Sequence, residues 1–243
     1  MNNLKKLKLT WLCQGNFLLE GDGIRIVVDP YLSDALADRG MPRMQPVPVS
    51  FEDLKPDVVI FTHDHLDHFD EESVRPIAQM YPNCVFVGPS STYEHFKKMG
   101  YDPKRFVIMD VGDAYARGGV LVKAVKAHHS DPKSIGLVIS ISGRTVYISG
   151  DTLFEDDLAE GVKKACGKNP LDIVAICING KLGNMKWDEA VKVVEELAPG
   201  MAAIPMHYGL FAKNTEDPEP FVNALRGKSI NAHTMVPGKA ELY

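Results

Sequence analysis

The 243-residue chain carries 27 Lys and Arg against 32 Asp and Glu, a formal net charge of −5. That balance argues against a large nucleic-acid footprint, which leaves a basic excess. Hydrophobic residues make up 45% and charged residues 24%, a globular composition in a chain long enough to bury a substantial core, and no apolar run approaches the ~20 residues needed to span a bilayer.

The start, Met1-Asn2-Asn3-Leu4-Lys5-Lys6-Leu7-Lys8, leads into an apolar stretch broken by Thr10, Gln14, Gly15 and Asn16, which is no signal peptide. Leu7 to Cys13 and Phe17 to Glu20 read as strands. Gly21-Asp22-Gly23 turns into the β-branched run Ile24 to Val28, a hairpin. Residues 33–50 hold three prolines and no period, and read as a long loop of the kind that is often functional. Val58 to Phe61 is an apolar strand. Asp70-Glu71-Glu72 caps a helix over 71–80, Cys84 to Val87 is a strand, and Ser90 or Ser91 caps a helix that stops at Gly100. Val120 to Ala127 is a strand. Leu137 to Ile141 and Thr145 to Ser149 flank Ser142-Gly143 as a second hairpin. A helix over 153–165, a strand over 172–178, a helix over 188–197, a strand from Ala202 to Met206, a helix near 219–226 and a strand near 233–236 complete the chain. Strands and helices alternate without either half being complete, so residues 1–243 read as one α/β domain. Cys13, Cys84, Cys166 and Cys177 form no CxxC pair and read as reduced, buried thiols in a cytoplasmic protein.

Ligand-type residues collect where strands end. His63, His65, Asp67 and His68 follow one strand, His128 and His129 another, Asp151 a third and His207 a fourth, and Asp29 also ends a strand. Loops after strand ends converge at one rim of α/β sheets. Imidazole and carboxylate together suit zinc, manganese or iron in an open hydrolytic site. In an extended segment His63 and His65 point the same way and can grip one ion. A turn after Leu66 lets Asp67 and His68 face a second, with Asp151 the candidate bridge. Asp64 has the opposite parity and reads as pointing to backbone or to residues behind the ligands, and Asp70 as a helix cap. Either His128 or His129 can supply the ligand after its strand.

The run Thr62-His63-Asp64-His65-Leu66-Asp67-His68 resembles the HxHxDH signature of the metallo-β-lactamase-fold hydrolases. Val28-Asp29-Pro30, Ala127-His128-His129-Ser130, Ser149-Gly150-Asp151-Thr152 and Pro205-Met206-His207-Tyr208 follow in that superfamily's order. The segments THDHLDHFD, YISGDTLFEDDL, NGKLGNM and AAIPMHYGLFAKNTEDPEPF look closest to its L-ascorbate-6-phosphate lactonase-like branch. The resemblance implies a four-layer αββα sandwich with mixed sheets and outer helices. It implies two divalent ions, manganese or zinc with iron a third choice. His63, His65 and His129 would hold one ion and Asp67, His68 and His207 the other, with Asp151 between them.

The expected reaction follows from charge. An ion pair lowers the pKa of water toward ~7, and the hydroxide attacks a carbonyl carbon with Asp67 accepting a proton; the resemblance implies that this carbonyl belongs to a lactone or ester of a small sugar acid, with or without a phosphate. Lys181, Lys213 and Arg43 are loop cations able to meet a phosphate. Asn184 is a candidate substrate contact, Tyr208 a candidate donor to an oxyanion, and His233 a candidate supporting residue. His95 reads as a surface residue of a helix and Trp187 as helix-start packing. A phosphodiesterase or nuclease on the same fold is the alternative, and a non-catalytic metal or redox module a third. The expected partner is a small-molecule substrate, with no nucleic acid and no membrane. A homo-oligomer is compatible with all of this.

Overall fold

The computed structural model describes residues 6–243; Met1 to Lys5 of the N-terminal run that reads as no signal peptide lie outside the described residues. Two sheets form the centre. The first has seven strands: β1 (Lys8–Trp11), β2 (Phe17–Gly21), β3 (Ile24–Val28), β4 (Val58–Ile60), β5 (Val85–Gly88), β6 (Phe106–Ile108) and β13 (Ala240–Leu242), in the order β13-β1-β2-β3-β4-β5-β6. The second has six: β7 (Ala114–Arg117), β8 (Val120–Lys126), β9 (Ile135–Ile141), β10 (Arg144–Ile148), β11 (Ile173–Cys177) and β12 (Ala202–Met206), in reverse chain order. Both sheets are mixed. The hairpins β2–β3 and β9–β10 pair antiparallel, whereas β3, β4, β5 and β6 are parallel, as are β10, β11 and β12.

Strand parity sets the layers, because successive side chains leave opposite faces. Ile26, Val28, Val58, Ile60 and Val87 join a core shared with Val122, Leu137, Ile139, Val146 and Ile148 of the second sheet. Their neighbours Val27, Val59, Phe61 and Phe86 face the other way, onto Val74 and Ile77 of α2 (Glu71–Met80) and Phe96 of α3 (Ser90–Lys98). The outer face of the second sheet meets α4 (Leu158–Cys166), α5 (Trp187–Leu197) and, beside α5, α6 (Glu219–Arg226). Each such buried aliphatic side chain contributes about 1.5–3 kcal/mol. The architecture is α/β, two mixed sheets with helices on their outer faces, as the resemblance implies.

Several local expectations need correcting. The final strand is β13, not 233–236: Pro237 has no N–H to give a ladder and Val236 is exposed, while Ala240–Leu242 pairs antiparallel with β1. The helix expected over 153–165 begins only at Leu158, because Leu153 donates its N–H to the His128 carbonyl (2.8 Å) and ties that segment to a neighbouring loop. Neither Ser90 nor Ser91 caps α3. Pro89 precedes its first turn, Ser90 bonds Asp110, and Ser91 bonds Asp131. The short strands β6 and β7 and the one-turn helix α1 (Phe51–Leu54) had no sequence signal. Asp70 does cap α2, accepting from Glu72 N–H at 3.1 Å. All four cysteines are buried and unpaired. No helix among the described residues is long and apolar enough to cross a membrane.

Candidate metal centre

The ends of β3, β4, β8, β10 and β12 and the β1–β2 turn meet at one rim, over the seam between the sheets. A backbone bond from Ile135 N–H to the Thr62 carbonyl (2.9 Å) staples the two sheets there. Gly150, which precedes Asp151, lies against this staple at φ +59°. A Cβ at that position would stand 2.9 Å from the Ile135 carbonyl oxygen and 3.0 Å from Thr62 Cβ. Only glycine lets β10 deliver Asp151 to the rim so closely.

Beyond Phe61 the chain bends rather than running extended, then makes a turn in which His68 and Phe69 N–H both donate to the His65 carbonyl (3.0 and 2.7 Å). This turn separates two groups of ligand-type side chains. In the first, His63 Nε2 lies 3.0 Å from His65 Nδ1, which lies 3.1 Å from His129 Nε2. In the second, His68 Nε2 lies 3.4 Å from His207 Nε2, and both approach Asp67 Oδ2 at 3.7 and 3.5 Å. Asp151 faces both groups: Oδ2 is 3.0 Å from His207 Nε2 and 3.8 Å from His129 Nε2, while Oδ1 is 3.3 Å from His68 Nε2. His63–His65–His129 and Asp67–His68–His207 are each compact enough to hold an ion. The strand end at 127–130 turns His129 inward and His128 outward, to Asp157 at 3.0 Å.

Outer hydrogen bonds fix which ring nitrogens are bare, as metal ligation requires. The Thr62 hydroxyl donates to Asp29 Oδ2 (2.6 Å), so at 2.9 Å from His63 Nδ1 it accepts, leaving Nε2 as the lone-pair atom. His129 Nδ1–H donates to the Gly183 carbonyl at 3.0 Å, and His68 Nδ1–H to Asp29 Oδ2 at 2.8 Å. Their Nε2 atoms face inward. Asp151 Oδ1, in a residue 5% exposed, has no hydrogen-bond partner. Converging lone pairs and an unpartnered carboxylate oxygen are a donor set suited to cations.

The electrostatics agree. Burial alone would push His68 and His207 down, but the carboxylates of Asp151 and then Asp67 overcome it, lifting His68 well above its usual value and His207 to about 9. Burial would raise Asp67 and Asp151. The imidazoles of His68 and His207 outweigh it and hold both below the usual carboxylate range. Burial and then the charge on His68 keep His63 well below its usual value, and burial also lowers His65. Without a metal, protons on the second group supply the positive charge that the carboxylates demand.

Three residues of the site carry no sequence signal of this role. Gln14, wholly buried in the β1–β2 turn at φ 51°, donates from Nε2 to Asp67 Oδ2 at 2.9 Å. Gly183 supplies the carbonyl that orients His129. Thr62 links Asp29 to His63.

The remaining candidates divide. Asn184 is buried and donates to Asp151 Oδ2 (2.9 Å) and Asn179 Oδ1 (3.0 Å), so it orients Asp151. Lys181 is near in sequence, but its ammonium donates to the Thr215 carbonyl at 2.8 Å. Arg43 does not present a free guanidinium to the rim: it donates to the carbonyls of Tyr31 and Gln45, each at 3.0 Å, and organises the 33–50 loop. Lys213 packs against Gly40. Tyr208 stacks on Trp11 (centroids 4.9 Å apart) and lines a cavity of about 250 Å³ with Cys13 and Glu219 rather than joining the cluster. His233 sits remotely against Glu241 at 2.8 Å. His95 is not a simple surface residue. It stacks on Phe69 and lies 2.6 Å from Asp64 Oδ1 and 3.1 Å from Glu71 Oε1, bracing the ligand loop from α3. Trp187 packs against the core at the start of α5.

A family model described as "Beta-lactamase superfamily domain" matches residues 24–208. A UPF0173 metal-dependent hydrolase of Methanopyrus kandleri is 27% identical, the match covering 98% of this chain and 99% of the relative. A UPF0173 metal-dependent hydrolase of Methanosarcina mazei is 29% identical over 96% and 97%. Among solved structures, Igni18, described as a novel metallo hydrolase from Ignicoccus hospitalis, superposes with a TM-score of 0.79 at 22% identity, covering 98% of each chain. The metallo-β-lactamase fold protein YhfI of Bacillus subtilis gives 0.74 at 17% identity, over 98% of this chain and 100% of that one.

Proposed function

This chain belongs to the beta-lactamase superfamily, and we propose that it is a metal-dependent hydrolase that binds two divalent ions and opens a carboxylic ester or lactone of a small molecule. The observation that carries this reading is the position of Asp151, whose two oxygens face the His63–His65–His129 group and the Asp67–His68–His207 group at once. Mixed imidazole and carboxylate donors without thiolate suit manganese, zinc or iron.

Bound there, the ions would ionise water near neutral pH and polarise a carbonyl as Lewis acids. The chain's own residues do the rest. Asp67, whose Oδ2 accepts from the Gln14 amide at 2.9 Å, is the carboxylate of the site placed to take a proton from an attacking water. Asp29, Thr62 and the Gly183 carbonyl keep the imidazoles in register. Of the three candidate cations, Arg43 and Lys181 are engaged by backbone carbonyls, which favours an uncharged lactone or ester over a phosphorylated sugar acid.

The test is elemental analysis of the purified protein paired with a panel of γ- and δ-lactones, p-nitrophenyl esters and bis(p-nitrophenyl) phosphate. Two ions per chain with lactone or ester turnover is the expected result. Turnover of the phosphodiester alone would replace this reading with a phosphodiesterase, and a protein that takes up no divalent ion would end it.

A further inference from the structure

Resting on the metal reading above, we propose that Asp131 is the positioning residue of the ion position formed by His63, His65 and His129, holding two loops in register through one carboxylate. The three imidazoles come from separate stretches of chain. His63 and His65 lie on the run behind β4, and His129 lies on the loop between β8 and β9. His65 Nδ1 stands 3.0 Å from His63 Nε2 and 3.1 Å from His129 Nε2. Atoms that ligate one ion at ~2.0–2.1 Å stand about this far apart. A slip of one loop past the other by more than about 0.5 Å would spoil the geometry.

Asp131 joins the loops where they must agree. It follows His129 by two residues, and its Oδ2 accepts the N–H of Asp64, the residue between the two ligand histidines, at 3.0 Å. Residues 61–65 lie outside any strand or helix, so this N–H has no ladder partner and needs an acceptor from elsewhere. The carboxylate is itself held. Ser91, in the first turn of α3, donates its hydroxyl to the same Oδ2 at 2.7 Å, and Lys133 N–H donates to Oδ1 at 2.8 Å. Hydrogen bonds to an ionised acceptor are stronger than neutral ones, and here they tie the ligand run, the β8–β9 loop and α3 to one side chain.

Ser130 acts at the ring that this peptide carries. His65 turns Nδ1 toward His63 and His129, and its Nε2 lies 3.2 Å from the Ser130 hydroxyl. With Nε2–H donated to Ser130, Nδ1 keeps the lone pair. The residue between His129 and Asp131 therefore sets the His65 tautomer, while Asp131 sets the backbone beneath it. The other ion position has separate supports: Asp67 rests on Gln14 and His68 on Asp29. Among the described residues neither Ser130 nor Asp131 bonds to Asp67, His68 or His207. Losing Asp131 must then act on one ion and spare the other.

The test is a stepwise titration of the metal-free protein with cobalt under chelator competition, which gives the affinity of each ion without recourse to turnover. His129→Ala and His207→Ala identify the two steps, each abolishing one. In Asp131→Ala the step lost in His129→Ala is expected to weaken by about 10–100-fold, and the step lost in His207→Ala to stay within about twofold. Asp131→Asn keeps an acceptor oxygen for the Asp64 N–H and the Ser91 hydroxyl and is expected to recover most of the loss. Ser130→Ala should weaken the same step by about two- to tenfold. Equal weakening of both steps in Asp131→Ala, or of neither, would overturn the proposal and leave the metal reading standing. So would an Asp131→Asn variant no better than Asp131→Ala. Should Asp131→Ala fail to fold, Ser130→Ala and Ser91→Ala decide: wild-type affinity at that step in both would overturn the proposal. A wild-type protein that binds no cobalt would remove both readings.

Discussion

Asp29 Oδ2 accepts the Nδ1–H of His68 at 2.8 Å, with both side chains fully buried. The same carboxylate takes the Thr62 N–H (2.7 Å) and hydroxyl (2.6 Å), so one residue at the end of β3 orients His68 directly and His63 through Thr62. Partners of this kind are worth about 10–100-fold in metal affinity or activity. Asp29→Asn keeps the shape and removes the charge. It is expected to lower ion content, or turnover at saturating metal, by that factor with little change in the far-UV spectrum. Wild-type metal content and rate in this variant would show that His68 needs no such anchor.

Gly150→Ala tests the staple between the sheets. Its cost combines left-handed backbone with the contacts at 2.9 and 3.0 Å to Ile135 and Thr62, about 2–4 kcal/mol in all. Gly23→Ala, also left-handed but with nothing within 4 Å of its Cβ, bears only the backbone part, about 1–2 kcal/mol. Urea unfolding of the two variants should separate them by the steric difference. Equal midpoints would mean that the seam gives way freely.

The parts of this site that the sequence revealed are those whose signal is local. Val58 to Phe61 is an apolar run and His63 to His68 a dense ligand-type run directly behind it, so strand and ligand loop were legible together. Asp70 announced the start of α2 in the same way. Gln14 was illegible because it is a single polar residue in a turn, and its role exists only because the β1–β2 turn lies against the end of β12. His95 misled for a similar reason: its helical spacing says surface, but Asp64 and Glu71 reach it from outside its own helix. The last strand was misplaced because Met235 and Val236 are apolar, whereas pairing with β1 was available only to the residues beyond Gly238.

Lys181 and Asn184, three positions apart, make opposite predictions although both sit on the loop after β11. Lys181→Ala removes an exposed ammonium that bonds the Thr215 carbonyl. The change should be within about 0.5 kcal/mol, roughly a twofold effect on kcat/KM. Asn184→Ala deletes the donor to Asp151 Oδ2 and should cost about 10–100-fold in ion affinity or rate. A large KM increase in Lys181→Ala, confined to anionic substrates, would restore it as a substrate contact and favour the phosphorylated class.

Metal uptake should release protons mainly from one of the two ligand groups. In the metal-free protein His68 stands well above its usual 6.5 and His207 at about 9, so both carry protons at pH 7 that a cation must displace. His63 and His65 are held low and are already neutral, and Asp67 and Asp151 are already ionised. Calorimetric titration at pH 7 in buffers of different ionisation enthalpy should therefore show up to two protons leaving as the second ion binds. Its affinity should fall by up to about 100-fold for each unit of pH lowered, the limit for two competing protons. The same raised values stabilise the metal-free fold fully below about 6.5, and that contribution fades as pH rises through about 9. The depressed carboxylates act in the opposite window, losing their contribution only under strong acid. Thermal melts with and without metal should then diverge most above pH 9, where the ions replace the missing protons. Uptake of both ions without proton release would show that His68 and His207 are already neutral at pH 7 in the metal-free protein.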